Sequence, residues 1–128
     1  MTPLETMARF RDKPLEFVPG ERFNYDNSGY LLLGYIVERA SGEKYEDFLQ
    51  NNIYEPLGML HSGYDHPWLV LKDRASGYAS RGGEAVNADY IQMDQPLGGG
   101  SLYSTVGDLL LWDRALYTEK LVSRKSLQ

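Results

Sequence analysis

The sequence predicts a mainly α-helical chain with a short β-hairpin, organised as one domain over its 128 residues. Apolar residues recur at helical spacing in several segments, and three of these segments follow a residue type that caps helices. One later stretch, around Arg81-Gly82-Gly83, has instead the turn chemistry of a hairpin. These two observations set the expected fold class.

The first two helices are predicted from their capping chemistry. Thr2-Pro3-Leu4-Glu5 has the form of a capping box with proline at the first helical position, so a helix is expected from Pro3 to about Asp12. A second helix is expected from about Ser28 to Ala40. Its buried stripe is expected to consist of apolar residues at helical spacing, namely Tyr30, Leu33, Ile36, Val37 and Ala40.

The rest of the chain alternates helices with one hairpin. A third helix is expected from Tyr45 to Ile53, ended by Pro56-Leu57-Gly58. The hairpin is expected to pair residues 76–80 with 84–88. The last complete helix is expected after Ser104, with Ser104 or Thr105 as its cap and Asp108 in the first turn.

Composition excludes several classes of function. The net charge of −5, without a basic run, argues against nucleic-acid binding. The lack of cysteine excludes disulfides, thiol catalysis and cysteine–zinc sites. We expect no cofactor, no metal, no membrane span and no signal peptide in these residues. His61, Asp65 and His66 lie close in sequence, but their spacing matches no common metal site.

Tyr25-Asp26-Asn27 is the strongest candidate site, because it lies at a junction between a loop and a helix. A phenol can act as an acid or base, and a carboxamide two residues away can hold a substrate carbonyl in the same cleft. A purely structural interpretation remains open, because Asp26 or Asn27 is also a natural N-cap.

The same tripeptide resembles the Tyr-x-Asn element of class C type serine β-lactamases and the related penicillin-binding proteins and esterases. Asp26 stands where that family usually has serine or alanine. Further segments resemble other family elements in the family's order: Leu31–Gly42, Pro56–Met59, Ala75–Tyr78 and Gly98–Leu109. The resemblance implies a helical subdomain of the α+β β-lactamase/penicillin-binding-protein-like fold. It also implies that Tyr25 is catalytic and carries a proton, and that Asn27 binds the substrate amide.

The resemblance further implies a parent serine hydrolase that cleaves amide or ester bonds through an acyl-enzyme, in a β-lactam, a D-Ala peptide or an ester. The family's Ser-x-x-Lys element and its Lys-Thr-Gly or His-x-Gly element have no counterpart here. Ser41–Lys44 and His61–Gly63 match such patterns in spelling, but in the wrong order along the chain. We therefore expect residues 1–128 to be a single truncated helical subdomain, an internal fragment that is inactive alone.

Other properties follow from the fragment interpretation. The apolar surface that the missing parts of the parent would cover is expected to drive self-association. An exported or periplasmic parent is expected, although the sequence leaves the compartment open. The alternative from another class is a stand-alone, non-catalytic domain that binds a ligand or partner through the Tyr25 cleft.

Overall fold

Helices dominate residues 2–93 and 96–127, which are the residues that the structure, a computed structural model, describes. The α-helices are α1 (Pro3–Met7), α2 (Asn27–Ser41), α3 (Tyr45–Leu49), α4 (Glu55–Leu57), α5 (Val106–Leu116) and α6 (Arg124–Leu127). A π-helical segment, Gln50–Tyr54, joins α3 to α4, and a 3-10 turn spans Leu97–Gly99. The predicted mainly α fold with a short hairpin is confirmed.

In the described part of the chain, four strands form two small antiparallel sheets. β1 (Gly63–Tyr64) pairs with β4 (Leu102–Tyr103), so that Gly63 lies opposite Tyr103. β2 (Tyr78–Arg81) and β3 (Glu84–Asn87) form the predicted hairpin. Gly82 and Gly83 have φ values of 61° and 88° in its two-residue turn, which is why glycines occupy the turn.

α1 is shorter than predicted. Its capping box is present, with Glu5 N–H donating to Thr2 Oγ1 at 3.2 Å and Thr2 N–H donating to Glu5 Oε2 at 2.7 Å. Beyond Met7 the backbone changes to three-residue turns, as in the 3.1 Å bond from Phe10 N–H to the Met7 carbonyl. Pro14 disfavours helical geometry at the residue before it, so the predicted extension to Asp12 does not persist as α-helix.

The N-cap of α2 is one of the two predicted residues, but the buried face of the helix is not the predicted stripe. Asp26 caps the helix by accepting from Ser28 N–H at 2.9 Å, and Gly42 ends it with φ 77°. The buried positions are Leu31 and Gly34. Among the residues of the expected stripe, Tyr30, Leu33 and Ile36 are exposed by 45%, 55% and 50%.

Gly34 explains this correction. A Cβ at Gly34 would lie 2.7 Å from the backbone N of Gly98 and 2.9 Å from Leu97 Cγ. The 3-10 turn therefore packs directly on the backbone of α2. Because a glycine contributes no apolar side chain, the spacing of apolar residues does not indicate that the Gly34 face of α2 is buried.

The main core lies between the α3–α4 run and α5. Its buried members are Leu49, Tyr54, Leu57, Met59 and Ala115. Leu111 and Trp112 of α5 cover it from one side as half-buried neighbours. Within the described residues, no helix is long and apolar enough to cross a membrane.

Candidate functional site

Tyr25 and Asn27 form a hydrogen-bonded pair at the start of α2. The Tyr25 hydroxyl donates to Asn27 Oδ1 at 2.9 Å. The Tyr25 ring lies 5.3 Å from the ring of Tyr30, one turn further along the helix, and Tyr25 is 57% exposed. The phenol therefore reaches solvent while its direction is fixed by the neighbouring amide.

The loop before α2 is held in place by its own polar contacts. Asn24 Nδ2 donates to Glu16 Oε2 at 2.7 Å, and Arg22 Nη2 donates to the Glu16 carbonyl at 3.3 Å. The Arg22 guanidinium lies 4.7 Å from the centre of the Phe17 ring. These contacts join the two ends of residues 16–24 and place Tyr25 at the start of α2.

Two cavities border this pair. One, of about 600 Å³, is lined by Tyr25 together with Asn24 and Phe17. The other, of about 650 Å³, is lined by Asn27. Ser28 lines both. Each volume lies within the roughly 300–1,000 Å³ typical of small-molecule sites, so the predicted site residues stand between two spaces that a ligand can enter.

Ser41 and Lys44, which match the Ser-x-x-Lys pattern in sequence, have separate structural roles. The Ser41 hydroxyl donates to the Val37 carbonyl at 2.7 Å and accepts from Glu43 N–H at 3.1 Å. Gly42 breaks the helix in the left-handed region, and Lys44 is already the N-cap position of α3. Ser41 and Lys44 therefore do not share a helical face.

Asp108 organises a polar cluster that includes the His61-Ser62-Gly63 segment. Its Oδ2 accepts from Ser62 Oγ at 2.7 Å and from His61 N–H at 2.8 Å. The Ser104 hydroxyl lies 2.8 Å from Ser62 Oγ, and Thr105 caps α5. Asp108 is only 4% exposed. The cluster therefore ties the start of α5 to the segment that leads into β1.

The three residues weighed as metal ligands contact different partners. His66 pairs with Glu46, and Asp65 accepts from Arg74, with Nη1 at 3.1 Å from Oδ2. His61 Nδ1 lies 3.7 Å from Asp108 Oδ1. Over residues 2–93 and 96–127, no group of three or more histidine, cysteine or carboxylate side chains is placed to hold a metal.

Two basic residues beside Asn27 lie outside the predicted site. Arg9 and Lys13 line the 650 Å³ cavity together with Asn27 and Ser28. Their four-residue spacing in the segment after α1 was the available signal. A four-residue spacing is also that of an exposed helix face, so it does not indicate a site by itself.

The chain is similar to known proteins along its whole length. The sequence profile of the Beta-lactamase family matches residues 2–128. The serine beta-lactamase-like protein LACTB, mitochondrial, of Mus musculus is 40% identical over 114 residues, which is 88% of this chain and 20% of that protein. The putative penicillin-binding protein PbpX of Bacillus subtilis is 34% identical over 128 residues, which is 100% of this chain and 32% of that protein.

A solved structure shows the same arrangement. The octameric penicillin-binding protein homologue from Pyrococcus abyssi superposes with a TM-score of 0.80 at 37% identity, over 97% of this chain and 29% of that one. The chain thus spans only a fifth to a third of the length of the curated relatives described above, at 20% and 32%.

Proposed function

Because the chain belongs to the Beta-lactamase family, we propose that it is part of a serine hydrolase and carries the tyrosine–asparagine portion of its active site. The reaction proposed is cleavage of an amide or ester bond, in a β-lactam, a D-Ala peptide or an ester, through an acyl-enzyme. The observation that carries the proposal is the 2.9 Å bond from Tyr25 Oη to Asn27 Oδ1 beside two open cavities.

In this proposal Asn27 is the substrate-binding group. Its Oδ1 is occupied by the Tyr25 hydroxyl, and among the described residues no acceptor takes a hydrogen bond from its Nδ2. An amide N–H fixed in this way can donate to a substrate carbonyl or amide without first losing another protein partner. The bond to Tyr25 also orients the Asn27 side chain, which supports a binding role over a purely capping one, since Asp26 provides the cap.

Tyr25 is the proposed proton carrier. A serine oxygen would attack the carbonyl carbon, its proton would pass through the phenol to the leaving amine or alcohol, and the carbon–nitrogen or carbon–oxygen bond would break. Water would then cleave the acyl-enzyme and restore the serine. A free phenol has a pKa of about 10 and is a poor base at neutral pH, so this role needs cations close to the hydroxyl.

The nucleophile is proposed to lie outside these 128 residues. Ser41 is the one serine in the sequence that has a lysine at position i+3. Its hydroxyl is hydrogen-bonded to the Val37 carbonyl and to Glu43 N–H. On this proposal, the chain alone neither hydrolyses a chromogenic β-lactam or a p-nitrophenyl ester nor takes up a fluorophosphonate label. Stoichiometric labelling of Ser41 would overturn this assignment.

The reading frame that encodes the chain provides the direct test. A Ser-x-x-Lys helix encoded upstream of Met1 supports the proposal. Hydrolysis by the product of that frame should then fall roughly 10²- to 10⁴-fold in Tyr25→Phe, the range of general acid–base contributions. Tyr30→Phe is the matched control, since it removes a hydroxyl from a ring 5.3 Å away.

A second candidate is a non-catalytic domain that binds a ligand through the same cleft. It is favoured by the surroundings of Tyr25, because no lysine or arginine within the described residues hydrogen-bonds to the phenol. An in-frame stop codon directly before a native start at Met1 would favour this candidate and exclude the hydrolase proposal.

A further inference from the structure

A cavity of about 460 Å³ lies between α3, the π-helical segment and α5. It shares no lining residue with the two cavities that border Tyr25 and Asn27. Its volume falls within the roughly 300–1,000 Å³ typical of small-molecule sites. Four aromatic rings and the aliphatic side chains beside them form most of its wall, including Tyr45, Tyr54, Tyr103, Trp112, Leu49 and Met59.

Tyr54 brings an unpartnered hydroxyl to this wall. The residue is only 7% exposed, and its hydroxyl forms no hydrogen bond with any residue that the structure describes. A buried tyrosine hydroxyl usually has a partner, because burying a donor without one costs free energy. An acceptor on a molecule inside the cavity would provide that partner.

Two more phenols lie beside it. Tyr45 and Tyr103 also line the cavity, and within the described ranges neither hydroxyl is hydrogen-bonded. Burial, followed by these two nearby phenols, raises the pKa of Tyr54 to about 12, so its hydroxyl keeps its proton at neutral pH. Burial also raises the pKa of Tyr45. These side chains therefore present hydrogen-bond donors to a ligand rather than negative charges.

The charges around the cavity favour a neutral ligand. Among the described residues that line it, none is a lysine, arginine or histidine. Ser62 lines it, and the Ser62 hydroxyl donates to the buried carboxylate of Asp108 at 2.7 Å. A bound anion would have no cation to pair with and would lie close to this carboxylate, so its desolvation would be uncompensated.

We propose that this cavity binds a small neutral aromatic molecule whose carbonyl oxygen accepts a hydrogen bond from the Tyr54 hydroxyl. Aromatic rings favour offset-stacked or edge-to-face contacts with one another, and the rings of Tyr103 and Trp112 offer such contacts to the ligand. The inference does not depend on the proposed hydrolase function, because no residue assigned to that function lines the cavity.

The test uses the 128-residue chain and three probes of similar shape. Acetophenone has a carbonyl oxygen beside its ring, α-methylstyrene has a CH₂ group in that place, and benzoate carries a charge. Binding is followed by the indole N–H resonances of the two tryptophans in nuclear magnetic resonance spectra. Trp112 lines the cavity, whereas Trp68 is 72% exposed and does not line it. Acetophenone should shift the Trp112 resonance alone, and benzoate should bind more weakly than acetophenone.

The ratio of two affinities isolates the hydrogen bond. Acetophenone and α-methylstyrene lose different amounts of hydration, but that difference is the same for every variant of the chain. Tyr54→Phe should lower the ratio of acetophenone affinity to α-methylstyrene affinity roughly threefold to tenfold, the contribution of one neutral hydrogen bond. Tyr117→Phe, at a tyrosine that is 80% exposed and outside the cavity, should leave the ratio unchanged.

A second variant tests the place of binding. Leu109 lines the cavity from α5 and is 53% exposed. Leu109→Trp should therefore fill the mouth of the cavity and weaken both neutral probes. Unchanged amide spectra outside the cavity show that each variant is folded.

Several results would overturn the inference. They are a Trp112 resonance that no probe shifts, equal shifts of both indole resonances, neutral probes that Leu109→Trp leaves equally tight, and benzoate bound at least as tightly as acetophenone. An affinity ratio that Tyr54→Phe leaves unchanged, or that Tyr117→Phe lowers by the same factor, would do so too. None of these readouts involves hydrolysis, so the hydrolase proposal stands or falls separately.

Discussion

The carboxylate of Asp108 accepts a hydrogen bond from the backbone N–H of His61 at 2.8 Å, across 47 positions of sequence. The same oxygen accepts from the Ser62 hydroxyl at 2.7 Å. Asp108 also lies in the first turn of α5, where a negative charge is stabilised by the helix dipole. One buried side chain therefore fixes both the start of a helix and the path of a distant loop.

Replacing Asp108 by alanine should destabilise the chain by about 1–3 kcal/mol, because the partly buried N–H of His61 and the buried Ser62 hydroxyl lose their acceptor. Urea denaturation followed by circular dichroism measures the change. Asp113→Ala is the control, since Asp113 lies exposed on the same helix. Equal denaturation midpoints for the two variants would show that the cluster contributes nothing to stability.

Gly34 and Gly29 should respond to alanine with opposite signs. A Cβ at Gly34 would meet Gly98 N at 2.7 Å, so Gly34→Ala should separate α2 from the 3-10 turn and cost about 1–3 kcal/mol. A Cβ at Gly29, on the same helix, would meet nothing within 4 Å. Gly29→Ala should therefore be neutral or stabilise by up to about 1 kcal/mol. Thermal unfolding of both variants tests the packing, and destabilisation of equal size would contradict it.

Stability should fall at alkaline pH because of Tyr54. Burial, followed by the nearby Tyr45 and Tyr103 phenols, raises the pKa of Tyr54 to about 12 from its ordinary value of 10.0. The folded state thus prefers the neutral phenol. This contribution to stability is complete below pH 10 and is lost as the pH rises towards 12.

Urea midpoints measured across this range should decline less steeply in Tyr54→Phe than in the unaltered chain. Some decline should persist, because burial also raises the pKa of Tyr45. Tyr117→Phe serves as the comparison, since Tyr117 is 80% exposed. A decline of the same slope in all three proteins would assign the alkaline loss to other groups.

Apolar side chains on α2 should drive self-association. Leu33 and Ile36, three residues apart on that helix, are 55% and 50% exposed. Leu109 on α5 is 53% exposed. Contiguous exposed apolar surface usually marks an interface, and two copies of the chain can cover it in a symmetric dimer.

Sedimentation equilibrium over a range of concentrations measures the association. Leu33→Gln with Ile36→Gln should weaken it, whereas Val70→Gln, at a residue 93% exposed in a loop, should not. A monodisperse, cooperatively folding monomer at high concentration would mean that these side chains tolerate water.

The sequence was sufficient wherever a feature depends on neighbouring residues. Local backbone chemistry limited the cap of α2 to Asp26 or Asn27 and the cap of α5 to Ser104 or Thr105, and the structure has Asp26 and Thr105. The hairpin turn at Gly82-Gly83 follows in the same way. These features need no knowledge of what packs against them.

The features that the sequence did not predict depend on contacts between residues far apart in the chain. The pairing of β1 with β4 involves only two residues in each strand, too few for any periodic signal. In α2, residues 31–33 are all leucine, so apolar spacing alone did not select a face. Leu31 and Gly34 are the buried residues of the helix, because the Leu97–Gly99 turn packs against the backbone at position 34 and leaves no room there for a Cβ. The cations beside Asn27 were missed for a related reason, since a cavity is formed only by the packed chain.

The short pairing of β1 with β4 also determines where this domain can change length. Asp65 N–H donates to the Ser101 carbonyl at 2.8 Å, just beyond the strand pair, so the excursion of residues 65–101, which also packs Leu97–Gly99 on α2, begins and ends at neighbouring points. The hairpin in the middle of this excursion is almost wholly exposed. The entropy of closing such a loop grows only slowly with its length. Insertions at Gly82-Gly83 would therefore lengthen the hairpin without moving Asp65 or Ser101. We expect related chains to differ in length at this hairpin at little cost in stability.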